Sequence, residues 1–249
     1  MTVSLLPIWF FLTAALYATV GFGGGSTYTA LIAMTDMPVW RIPITALACN
    51  IVVVALGSYL AVTRRAFDWH HAAPFFIASV PMAFIGGLIP LRDGNYIMLL
   101  AISLLLAGGR ILFIKDMQSP PRPQSGKRGR AFFIGGGLGL LSGMVGIGGG
   151  IFLAPILHYL RWADAKTIAA LCSFFILVNS IAGLAGQLVK TGLHVIPDML
   201  TFSAPLMLAV ACGGLLGSRV LLERFPAAAL RQITAALIIF VALRLLWQL

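Results

Sequence analysis

GFGGGSTYTALIAM, residues 21–34, breaks a hydrophobic run with Gly21 and the triplet Gly23, Gly24 and Gly25. GIGGGIFLAPIL, residues 146–157, repeats the pattern with Gly146 and the triplet Gly148, Gly149 and Gly150. Each copy follows an apolar segment long enough to enter a bilayer and precedes one too short to cross it comfortably. Backbone N–H and C=O groups freed by three glycines are tolerated at membrane depth only where protein buries them or a polar cavity receives them. Paired interruptions at matching places in two halves of a chain point to the binding site of a transporter. These two knots set the expectation for everything around them.

The 249 residues are 60% hydrophobic and only 10% charged, which excludes an ordinary soluble domain. The charges cluster between apolar runs of roughly 18–22 residues, the length of helix that crosses a hydrocarbon core. The fold class expected is therefore an all-α polytopic membrane protein. A β-barrel would show alternating segments of about ten residues instead. A net charge of +10 would suggest nucleic acid in a soluble protein. Here the basic residues flank apolar runs, so they read as orientation signals in a bilayer, and no nucleic-acid partner is expected. The first 21 residues carry no basic leader and read as a retained first helix. Cys49, Cys172 and Cys212 stand singly in apolar runs without metal-ligand spacing, so neither a metal nor any other cofactor is expected.

In chain order, a helix ends at the first knot, a short run follows, and three spans begin near Ile42, Ala72 and Tyr96. KDMQSPPRPQSGKRGR, residues 115–130, is polar and rich in Pro and Gly, and reads as a basic linker. Beyond it the plan returns: a span into the second knot, a short run, then spans near Thr167, Ile196 and Ala228. ALACN at 46–50 aligns with AALCS at 169–173, which sets Asn50 opposite Ser173, and Gly86 and Gly87 align with Gly213 and Gly214. The expected organisation is an N-terminal transmembrane repeat at 1–114, the linker at 115–130 and a C-terminal repeat at 131–249. Each repeat then holds a glycine-interrupted broken or re-entrant helix pair plus three spans. With five elements per repeat and the linker in the cytoplasm, Arg64, Arg65, Arg161, Lys166 and the linker cations lie inside, while Arg41, Arg92 and Lys190 lie outside. A four-element count scatters the cations, so the positive-inside bias favours inverted repeats.

Inverted knots would bring two helix N-termini together near the midplane. Unpaired N–H groups and the positive end of the dipole make such termini anion sites, and glycine lets a ligand approach the backbone closely. The expected substrate-binding residues are Gly23, Gly24, Gly25, Ser26, Asn50, Gly148, Gly149, Gly150, Ser173 and Asn179. The plainer reading of the glycines is close helix packing, which fits the i, i+4 series Gly135, Gly139 and Gly143 better. For Asn50 and Asn179 the plainer reading is an interhelical hydrogen bond. Arg110 and Arg244 sit near span ends where a long side chain snorkels, and His158 closes the second short run. Asp68, His70 and His71 share a loop without the arrangement of a metal site or a catalytic triad. All seven carboxylates, Asp36, Asp68, Asp93, Asp116, Asp164, Asp198 and Glu223, fall in loops or at span ends. A cation or proton pathway would call for such groups inside the spans, so the site suits an anion better.

GFGGGSTYTALIAM, ALACN, the basic linker, GMVGIGGGIFLAPIL and SFFILVNSIAGLAGQ together resemble the TauE/SafE family of sulfite and organosulfonate exporters over nearly the whole chain. The resemblance implies an inner-membrane, multi-pass permease of two homologous halves, with a sulfur-containing anion such as sulfite, thiosulfate or an organosulfonate as substrate. Pro155 follows the second knot where Ala30 follows the first, a departure from strict repetition. The reading is thus a secondary transporter of a small anion in the lipid bilayer, working by alternating access and not an enzyme, with a homo-oligomer open to it. The rivals are an anion channel through the same constriction and, with less in its favour, a membrane-embedded enzyme built on Asp68, His70 and His71.

Overall fold

The computed structural model describes residues 3–18, 23–35, 37–113 and 128–220, with scattered positions between 232 and 247. Gly21 and most of the linker, with Asp36, Asp116 and Glu223, lie outside the described residues, as do Arg244 and the side chain of Arg110. Among the described residues every regular element is helical: α1 (Leu6–Ala18), α2 (Gly25–Ala33), α3 (Arg41–Thr63), α4 (Trp69–Leu88), α5 (Asp93–Phe113), α6 (Arg128–Val145), α7 (Gly150–Tyr159), α8 (Ala165–Thr191) and α9 (Ile196–Val220). The segments Arg41–Thr63, Trp69–Leu88, Lys166–Thr191 and Leu193–Gly217 are long and apolar enough to cross a membrane. Large apolar side chains also stand on the outside, among them Phe133, Leu106 and Leu208, where water would penalise them and lipid would not. The protein is an all-helical, multi-pass membrane protein.

Glycines set how closely the helices approach. Side chains added to Gly135, Gly139 and Gly143 of α6 would collide with the backbone of Phe75, Ser79 and Ala83 of α4. The constant offset means that α6 runs parallel to α4. On the other side, Gly213 and Gly217 of α9 meet the backbone of Phe11 and Ala15 of α1, again in parallel. In lipid, close backbone approach and packing replace the hydrophobic drive between helices, and small residues are what allow it. The first helix of each stretch, before and after the linker, thus packs on the fourth helix of the other. Between these seams α3 and α8 cross antiparallel, with Gly57 against Ser173 and Leu47 against Gly183.

Contacts at the helix ends give each its direction. Arg41, which opens α3, bonds both carboxylate oxygens of Asp198 in the first turn of α9, at 2.8 and 2.6 Å. Lys190 near the end of α8 reaches the carbonyl of Ile89, just beyond α4. On the opposite face the ring of Trp162, ahead of α8, meets Phe75 near the start of α4. Phe67, Trp69, Phe76 and Phe174 form an aromatic cluster on that face. Because α6 runs with α4, it starts on the Trp162 face, and α7 returns to that face before α8 begins. Because α1 runs with α9, it starts on the Arg41 face, to which the chain returns before α3. Helices α1 and α6 therefore start from opposite faces. Asp68 and Asp164 cap α4 and α8, accepting from the backbone N–H of His70 and Thr167, while Asp93 and Asp198 occupy first turns.

Candidate functional site

Both short helices begin in the same way. Gly24 precedes α2 at φ 80° and Gly149 precedes α7 at φ 77°, left-handed backbone that L side chains adopt only under strain. Neither cap makes a side-chain hydrogen bond. The first intrahelical donors are Thr27 and Tyr28 in α2 and Phe152 and Leu153 in α7, bonding the carbonyls of Gly24 and Gly149. The N–H groups of Gly25, Ser26, Gly150 and Ile151 therefore come before the ladder, at the positive end of each helix. All four residues are buried.

The two knots meet around Asn50, near the middle of α3. Its amide nitrogen donates to the carbonyl of Ile147, inside the second knot, at 3.2 Å. A Cβ on Gly25, in the first knot, would run into both that nitrogen and the Ile147 carbonyl. A Cβ on Gly23 would stand 2.6 Å from Asn50 Oδ1, and one on Gly148 would stand 2.9 Å from Asn50 Nδ2. Ile176 of α8 supplies an apolar wall, lying against Gly23, Gly148 and Gly150. The glycines are thus required by the closeness of two backbones and one amide side chain.

Several polar atoms here are buried without a hydrogen-bond partner: Asn50 Oδ1, Tyr28 OH, Ser180 Oγ and Ser142 Oγ. Three of them face knot glycines. Asn50 Oδ1 lies over Gly23, Tyr28 OH lies 3.0 Å from a Cβ on Gly24, and Ser180 Oγ lies 3.2 Å from one on Gly148. Leaving such groups unsatisfied costs about 1–3 kcal/mol each, so their concentration at one place calls for an explanation.

The expected site residues divide. Gly23, Gly24, Gly25, Gly148, Gly149, Gly150 and Asn50 lie in or directly against the two knots. Ser26 and Thr27 lie beside the hydroxyl of Tyr17, at 3.4 and 3.0 Å. Ser173 sits against Gly57 of α3. Asn179 spends its amide nitrogen on the Phe175 carbonyl of its own helix at 2.8 Å. Tyr28, Ser180 and the Ile147 carbonyl were not anticipated. Tyr28 follows the first triplet by three residues and Ser180 follows Asn179, so their positions held the signal. A backbone carbonyl leaves none. Tyr96 of α5 also donates to the Val145 carbonyl at 2.9 Å, bracing α6 just ahead of its knot.

Comparison with known proteins gives two matches. The family model described as Sulfite exporter TauE/SafE matches residues 6–245. The chain is also similar to the probable membrane transporter protein y4hK of Sinorhizobium fredii, 31% identical over 245 residues that cover 97% of each chain. No solved structure matches.

Proposed function

The chain belongs to the TauE/SafE family and is a membrane transporter of that type, and we propose that its cargo is a small anion, sulfur-containing as the family description suggests, bound where the two knots meet. The observation that carries this reading is the meeting itself. Two helix N-termini, each with first-turn N–H groups ahead of its ladder, converge on one buried place through Gly25, Ile147, Gly148 and Asn50. Together they favour negative charge without a cationic side chain. Sulfite, thiosulfate and organosulfonates offer several acceptor oxygens to such donors.

The two stretches flanking the linker work as inverted repeats that exchange access between the faces. Supporting this are the opposite starting faces of α1 and α6 and the antiparallel crossing of α3 and α8. Arg64, Arg65, Arg161 and Lys166 lie toward the Trp162 face and Arg41, Arg92 and Lys190 toward the other, so the positive-inside bias makes the first face, with the linker, cytoplasmic. The test is flux of labelled sulfite or thiosulfate in proteoliposomes carrying the wild type, Gly24→Ala or Gly149→Ala, with the elution profile checking the fold. At least tenfold slower flux from each folded variant is expected. Wild-type rates from both would overturn the knot as the anion site.

A further inference from the structure

A helix N-terminus only donates hydrogen bonds, yet the side chains aimed at these two can also accept them. The Ile147 carbonyl can only accept, so the nitrogen of the Asn50 amide must be the atom that faces it. That leaves Oδ1, a pure acceptor, buried and unpartnered against Gly23. Ser180 Oγ beside Gly148 and Tyr28 OH beside Gly24 add two more uncommitted groups, each able to donate or accept. Asn50, Tyr28 and Ser180 are all fully buried, so bulk water does not satisfy these atoms.

A fully deprotonated, donor-free anion would satisfy the backbone N–H groups but leave Oδ1 without a partner, with the negative charge brought near its lone pairs. We infer that the site selects anions carrying their own hydrogen-bond donor, an O–H or N–H beside the charged group, and that Asn50 Oδ1 receives it. The protonated monoanion of an oxyanion meets this condition, as do hydroxy- and amino-substituted sulfonates. A simple alkanesulfonate does not. The inference rests on the anion reading above and adds to it a discrimination within the anions, with Asn50 as the specificity-determining residue.

Isethionate and propanesulfonate separate the two cases, since they are nearly isosteric and differ by a hydroxyl in place of a methyl. Both stay singly charged across neutral pH, so titration of the protein does not enter. Uptake of each labelled sulfonate is measured in proteoliposomes with the wild type and with Asn50→Leu. The wild type is expected to prefer isethionate by about tenfold or more in uptake efficiency, the scale of one buried acceptor left unpaired. Asn50→Leu should narrow that preference to about twofold, on the same hydrogen-bond accounting. If that variant carries neither compound, its thermal shift with each sulfonate reads the same preference by binding. Equal wild-type handling of the two would overturn the donor rule while leaving anion transport standing. A preference undiminished in Asn50→Leu would overturn the role of Asn50. If the wild type neither carries nor binds either sulfonate while sulfite flux stands, this inference falls alone; if sulfite flux is absent as well, the anion reading falls with it.

Discussion

Gly143 on α6 and Ala83 on α4 pack backbone against backbone, with no room between them for a single carbon. Gly143→Ala should therefore force the seam apart and destabilise the protein by about 1–3 kcal/mol, the usual effect of overpacking. Gly137, on the same helix, is exposed with open space around it. Gly137→Ala should be neutral or stabilising by up to about 1 kcal/mol, through helix propensity alone. Thermal unfolding midpoints in one detergent compare the two, and a larger loss at Gly137 would contradict the packing account.

The Arg41–Asp198 pair holds two oxygens on one guanidinium nitrogen, while the same guanidinium lies over the rings of Trp40 and Phe202. Asp198 is half exposed, so the ion pair itself is worth about 0–1 kcal/mol. Asp198→Asn should thus lower the unfolding midpoint slightly, and less so in high salt. Arg41→Ala should lower it more, because the ring contacts go as well. A double-mutant cycle across the pair measures the ionic part, and a coupling above about 2 kcal/mol would show that screening has been overestimated.

Asp164 caps α8 by accepting from the Thr167 backbone N–H at 2.7 Å, and that bond holds its carboxyl below the ordinary carboxylate value. A depressed folded value means that the stabilisation is complete above about pH 4 and is lost as pH falls through the folded value. Asp164→Ala should cost about 1 kcal/mol at neutral pH, whereas Asp164→Asn, also a good cap, should keep most of it without the acid dependence. Unfolding midpoints of the three proteins from neutral pH down into the acid range check this.

Binding can be read apart from transport. A ligand that binds only the folded state at a hundred times its Kd stabilises it by about 2.7 kcal/mol. For a chain of this size that is a rise of several degrees, at roughly 2–4 °C per kcal/mol. Sulfite, partly present as its protonated monoanion near neutral pH, should give such a shift to the purified protein, and sodium chloride at equal ionic strength should not. Gly149→Ala should abolish the shift.

Helix positions were legible because hydropathy and charge punctuate this chain sharply. The span expected to begin near Ile42 is α3, and the short runs behind the triplets are α2 and α7. The knots were legible because three glycines in an apolar setting have few other uses. Pairing between helices was not. Nothing local in Gly135, Gly139 and Gly143 says that their partner is α4, since small residues advertise closeness without naming a neighbour. The polar residues were half legible for a related reason. Asn50 and Asn179 look alike in sequence, yet one amide crosses to Ile147 and the other turns back on Phe175. The way each helix is turned toward its neighbours decides between those outcomes, and nothing local to either asparagine states it.

The exchanged seams carry a consequence for how the chain comes together. Helix α1 rests on α9 and α6 rests on α4, so each stretch supplies the surface on which the other's first helix settles. Made alone, the second stretch would expose the glycine faces of α6 and α9, and the first would leave uncovered the faces of α4 and α1 that meet them. Produced as two separate pieces divided between α5 and α6, they should be rescued by one another in the same membrane. The early helices would then be waiting for the late ones, and insertion of the last third of the chain would complete the first.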